Sequence, residues 1–127
     1  KKTLSYKRRK KRIIIKIKNT ISVARMIDCT DRNERYFLSL ISKNLHLYSE
    51  MIVSNAIIRG DRDKILSFKK VKNPTILQLG GSNPSELAEA CKISEQYGYD
   101  EINLNLGCPS KKVQKNKFGA CLMKEPN

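Results

Sequence analysis

Histidine is almost missing from this sequence: His46 is the only one in 127 residues. The four cysteines, Cys29, Cys91, Cys108 and Cys121, include no CxxC pair. One imidazole without paired thiols excludes the usual zinc donor sets, so no metal is expected. No stretch reads as a secretion signal, so a disulfide framework is not expected and the thiols read as those of a reduced, intracellular protein. Long apolar runs are absent too. Ile13-Ile14-Ile15-Lys16-Ile17 is too short and too charged for a signal core or a membrane span. Acids are missing from residues 1–18, which hold ten of the 26 Lys and Arg and account for most of the net charge of +14. Such a segment reads as a tail that binds nucleic acid, as a self-repelling tail with no partner, or as an organellar address; composition leaves all three open.

Residues 19–127 have the pattern of a folded α/β domain. Four short apolar segments, Ile21–Ala24, Leu45–Tyr48, Thr75–Leu79 and Glu101–Leu106, alternate with helical patterns. Arg32 to Ser42 sets Tyr36, Phe37, Leu40 and Ile41 on one stripe behind a cap at Thr30 or Asp31. A second helix carries its own punctuation. Asn83 is an N-cap, Pro84 the first helical residue, and Glu86 completes a capping-box pattern. Leu87, Ala90, Cys91, Ser94 and Tyr97 make its packing face, and Gly98 stops it. Strands and helices alternating in this way predict βαβ units on a parallel sheet.

The fourth segment singles out a face. Ile102, Leu104 and Leu106 point one way and Asn103 and Asn105 the other. Strands of a parallel sheet are normally apolar on both faces, and an unpaired buried amide costs several kcal/mol, so these amides and Gln78 on the third segment need partners. A bound ligand at the strand ends is the economical expectation, with an internal side-chain network as the alternative.

Three motifs stand in order along the chain. They are Val23-Ala24-Arg25-Met26-Ile27-Asp28-Cys29-Thr30-Asp31-Arg32, Leu77-Gln78-Leu79-Gly80-Gly81, and Asn103-Leu104-Asn105-Leu106-Gly107-Cys108-Pro109-Ser110 followed by Phe118-Gly119-Ala120-Cys121-Leu122-Met123. Together they resemble the tRNA-dihydrouridine synthases, specifically the bacterial A-type branch. The resemblance implies a TIM (β/α)8 barrel of which this chain holds the N-terminal half, about four β/α units, with FMN at the strand ends and NADPH as reductant. It implies tRNA as partner and a uridine of the D-loop, flipped out of the RNA, as the reduced group. Cys108 matches the family's catalytic cysteine, which gives a proton to C5. Arg25, Met26, Ile27 and Gln78 match flavin-contacting positions, and Asn105 a substrate-contacting one. A cysteine acting as an acid must be a thiol, and with an ordinary pKa Cys108 is expected to stay protonated at neutral pH without a base beside it.

The remaining cysteines read as packing (Cys91, Cys121) or as a variable position near the flavin turn (Cys29). His46 reads as structural, and Glu50 as a strand-end carboxylate of open role. The family carries proline where this chain has Arg25, which restores a backbone N–H and brings a long cation to the flavin turn. A complete barrel takes about 250 residues, so the family's later flavin ligands and helical RNA-binding domain are expected beyond Asn127. The chain alone is therefore expected to bind FMN weakly and to turn over nothing. A non-catalytic basic RNA-binding protein derived from such an enzyme is the alternative. Another FMN barrel of the dihydroorotate dehydrogenase kind lacks the Gly107-Cys108-Pro109 context. The cytoplasm is the expected compartment, with an organelle as the alternative.

Overall fold

The computed structural model describes residues 21–124. The basic segment 1–18 lies outside the described residues. Four parallel strands, β1 (Ile21–Val23), β2 (Leu45–Val53), β3 (Thr75–Gly80) and β4 (Glu101–Leu104), form one sheet in sequential order. Between them run α1 (Arg32–Ile41), α2 (Ser54–Arg59), α3 (Arg62–Leu66) and α4 (Pro84–Glu95), and α5 (Lys111–Lys115) and a 3-10 turn (Gly119–Lys124) follow β4. Consecutive parallel neighbours joined by helices are the arrangement of half a (β/α)8 barrel.

The N-cap residues are Asp31 and Asn83, as the sequence predicts. Asp31 accepts the N–H groups of Asn33 and Glu34, and Asn83 those of Ser85 and Glu86, so two of the orphan donors of each first turn are met. Gly98 takes the left-handed conformation at φ 81° just beyond α4.

The core lies between β3 and its helices. Leu77 and Leu79 of β3 pack with Ile57 of α2, Leu66 of α3 and Ala90 of α4, all fully buried, with Cys91 packed against them. Burial also pushes the Cys91 thiol up, which fits a packing role. Alternation along β3 then sends Gln78 to the opposite, barrel-interior face.

Three elements depart from the sequence expectation. β2 runs five residues past Tyr48, because a bulge absorbs Ser49 and Glu50: Tyr48 pairs with Ile76, but Met51 pairs with Gln78. β4 ends at Leu104, although Asn105 N still donates to Leu79 O at 2.8 Å. The α1 stripe is not buried: Phe37, Leu40 and Ile41 are about 60–70% exposed, while Arg35 of the same helix is buried. The reason is position. α1 packs on β2 beside β1, an edge strand with one neighbour, so Phe37, Leu40 and Ile41 stay largely uncovered, while Lys69 Nζ lies 4.6 Å from the centre of the Tyr36 ring. Ile102 and Leu104 of the other edge strand are exposed in the same way.

Truncating Leu77 to Ala should cost about 2–5 kcal/mol in urea unfolding, whereas Phe37→Ser should stay within about 0.5 kcal/mol. Equal losses would contradict this assignment of the core.

Candidate active site

The β1–α1 turn is closed on itself. Met26 O accepts from the N–H groups of Cys29 (3.1 Å) and Thr30 (3.0 Å), and the Thr30 hydroxyl donates to Met26 O and accepts from Met26 N, both at 3.1 Å. Arg35 Nη1 reaches back to Thr30 O at 2.8 Å. Asp28 at the turn's apex has φ 63°, a left-handed conformation that costs a non-glycine residue about 1–2 kcal/mol. Glu50 holds it there, its Oε1 accepting the Asp28 N–H at 2.6 Å. The β2 bulge is what aims Glu50 at this turn, where its carboxylate holds the main chain. Arg35 is itself anchored beside Phe68 and Tyr99. Burial pushes the Tyr99 hydroxyl up to about 12, so it stays protonated and donates to Leu66 O.

The interior amides find one another. Gln78 Nε2 donates to Asn103 Oδ1 and Asn105 Nδ2 donates to Gln78 Oε1, both at 2.9 Å. Asn105 Oδ1 then accepts the N–H groups of Cys108 at 2.9 Å and Gly107 at 3.2 Å. The expected ligand is thus not what satisfies these amides; the internal network is, because β3 and β4 set the three side chains in register. Each Gln78 amide atom still keeps one unused bonding capacity. Gln78 N, which loses its ladder partner at the bulge, donates to Ser49 Oγ at 3.0 Å.

Cys108 is therefore held by its own main chain. From the other side Ala120 N donates to Cys108 O at 3.2 Å. Gly119 must be glycine: its φ is 65°, and a Cβ there would lie 2.7 Å from Cys108 O and 2.6 Å from Val113 Cγ1. The Cys108 thiol lies 3.6 Å from Ser110 Oγ, and the backbone and hydroxyl of Ser110 pull its pKa below the ordinary thiol value, with Arg25 adding to the effect. This corrects the expectation of an unperturbed thiol. Ser110 was visible in the motif, but its effect on sulfur comes from the tight turn made by Pro109, which spacing alone does not reveal.

A cavity of about 460 Å³ at the carboxyl ends of the strands is lined by Ser22, Ala24, Arg25, Tyr48, Gln78, Asn105 and Cys108. It brings together four of the six residues singled out from sequence. Met26 and Ile27 do not line it. They stand on the adjoining turn, about 60% exposed. Arg25 Nη1 is buried with no hydrogen-bond partner among the described residues, and burial pushes the guanidinium below its ordinary value. A free buried donor, a polar floor of amides and an apolar rim suit a flat, oxygen-bearing ring system, and the volume is that of a small-molecule site. Among the described residues no group of acids, cysteines and histidines could hold a metal, and no helix is long and apolar enough to cross a membrane. His46 sits half-buried on β2 beside Ser22 in register, away from this cavity's lining.

Residues 22–127 match the family model of the dihydrouridine synthases. The chain is 52% identical over 109 residues to a tRNA-dihydrouridine(20/20a) synthase of Synechocystis sp., covering 86% of this chain and 33% of that protein. It is 54% identical over 106 residues to the protein of that name from Xanthomonas campestris, covering 84% and 32%. Against the one from Pseudomonas aeruginosa it is 50% identical over 105 residues, covering 83% and 32%. The chain thus spans about a third of the length of the curated relatives it matches.

Because Ser110 lowers the Cys108 pKa, iodoacetamide should alkylate Cys108 with a pH midpoint below that of a free thiol. Ser110→Ala should move the midpoint upward, leaving only the Ser110 N–H at the sulfur. An unmoved midpoint would rule out the hydroxyl's role.

Proposed function

Since the chain belongs to the dihydrouridine synthase family, we propose that it supplies the proton-donor half of a flavin site that reduces uridine in tRNA to 5,6-dihydrouridine. The observation that carries this reading is Cys108 locked by Asn105 and Ala120 at the wall of a cavity shared with Gln78 and Arg25. When bound, FMN recharged by NADPH supplies the hydride for uracil C6.

The residues of this chain do the rest. The β1–α1 turn offers the main chain of Arg25 and the exposed side chains of Met26 and Ile27 to the flavin ring, and Gln78 offers its spare amide capacity. Asn105, fixed by Gln78 and by the Cys108 loop, borders the space that a flipped uracil would fill. Cys108 gives its proton to C5 and is left as thiolate. The Ser110 donors stabilise that thiolate, which makes Cys108 a stronger acid than a free thiol. The fall in rate with rising pH should therefore set in below the range of an ordinary thiol. Residues 1–18 are read as an added phosphate-binding segment, and the cytoplasm, where tRNA is modified, as the compartment. The D-loop is read as the place of the reduced uridine. The 127-residue chain by itself is read as binding FMN weakly and reducing no uridine.

In the full-length protein, Cys108→Ala should keep the flavin absorbance near 450 nm and lose about 10²-fold or more of dihydrouridine formation. Full activity in that variant would remove the proton-donor assignment. Stoichiometric, tight FMN binding by the 127-residue chain alone would contradict the reading of it as an incomplete site.

A further inference from the structure

Arg25 is the one cation lining the cavity, and nothing described so far uses its side chain. Its Nη1 is buried and without a partner among the described residues. The carboxylate nearest in charge, Glu50, is turned away to the Asp28 N–H at 2.6 Å, and Arg25 forms no salt bridge within the described residues. The other titratable groups at the cavity are Tyr48 of β2 and Cys108 itself; β3 contributes only the neutral Gln78. Glu50 still attracts the part-buried guanidinium, but no acceptor among the described residues bonds its Nη1, and a buried donor left unpaired costs free energy. Such an arrangement is justified where negative charge arrives from outside.

We propose that Arg25 is a charge-stabilising group of this reaction, donating its free Nη1–H to the C4 oxygen of the bound pyrimidine. The inference rests on the function proposed above. Adding hydride to C6 forms a C–H bond there and pushes the C5–C6 double-bond pair toward C4, so negative charge collects on the C4 oxygen. C5 then takes the Cys108 proton: the S–H bond breaks, the C5–H bond forms, the carbonyl returns and the charge ends on sulfur. C4 and C5 are bonded neighbours, so a cation that shares a cavity wall with the proton donor lies beside both places where this charge resides. The closeness of Arg25 to the Cys108 sulfur is felt in the thiol's lowered pKa. A donor aimed at developing oxyanion charge typically accounts for about 10²–10³ in rate. The guanidinium's partial exposure sets a lower expectation here.

The test compares wild type, Arg25→Gln and Arg25→Lys in the full-length, FMN-loaded protein, with a tRNA transcript as substrate. Three quantities are read: single-turnover dihydrouridine formation by pre-reduced enzyme, flavin content near 450 nm, and the pH midpoint of Cys108 alkylation. Arg25→Gln should keep its flavin, slow single turnover about tenfold or more, and raise the midpoint. Arg25→Lys should recover most of both changes, which a purely steric role would not allow. A Gln rate within twofold of wild type, an unmoved midpoint, or a Lys variant as slow as Gln overturns the proposal. Loss of flavin from Arg25→Gln with an unmoved midpoint reassigns the side chain to the cofactor and also overturns it. A wild-type enzyme that reduces no uridine in the transcript sinks the underlying functional reading instead.

Discussion

A glutamine on a strand packed against neighbours on both sides must be paired, and how Gln78 is paired organises this whole site. It joins Asn103 and Asn105 on β4 through two bonds of 2.9 Å, and Asn105 passes the constraint to the main chain of Cys108. Three amides therefore convert the register of two strands into the position of one sulfur. Leaving any of them unpaired would cost about 1–3 kcal/mol. Any other rotamer of these side chains breaks one of these bonds.

The opposite wall of the cavity depends on a second device, the bulge in β2. The extra residue lets Ser49 cap the Gln78 N–H and swings Glu50 across to the Asp28 N–H. That one carboxylate holds a left-handed aspartate in place, and the turn it closes presents Arg25, Met26 and Ile27. It also leaves the Arg25 Nη1 without a hydrogen-bonded partner among the described residues. Structural order in the turn and an unspent cation in the cavity have the same cause.

Much of this was legible in the sequence. The alternation of apolar segments with capped helices, Asn83-Pro84 above all, predicts the parallel sheet, and the family resemblance implies its sequential order. The Asn103/Asn105 alternation predicts a polar interior face, and the motif context marks Cys108. Less legible was what depends on register across strands. Tyr48-Ser49-Glu50-Met51 looks like a strand end, and only pairing with β3 turns it into a bulge. The amides looked as though they awaited a ligand, because their mutual reach is set by β3 lying against β4. The α1 stripe was read correctly as apolar, but its exposure follows from β1 being an edge, which no local pattern encodes. The acidity of Cys108 came from Ser110, two residues away and brought back onto the sulfur by a turn.

Family membership accounts for the motifs, while the chain spans about a third of the relatives it matches. The exposed apolar faces of α1, β1 and β4 agree with half of a barrel. What this half contributes in full is a placed cysteine, and its placement rests on the amide chain from Gln78. Amide hydrogen exchange at Cys108, compared between the full-length protein and its Gln78→Leu variant, tests that claim most directly. The Cys108 amide, bonded to Asn105, should exchange slowly in the parent and at least about tenfold faster in the variant (about 1.4 kcal/mol of lost protection). Equal protection in a folded Gln78→Leu protein would contradict it.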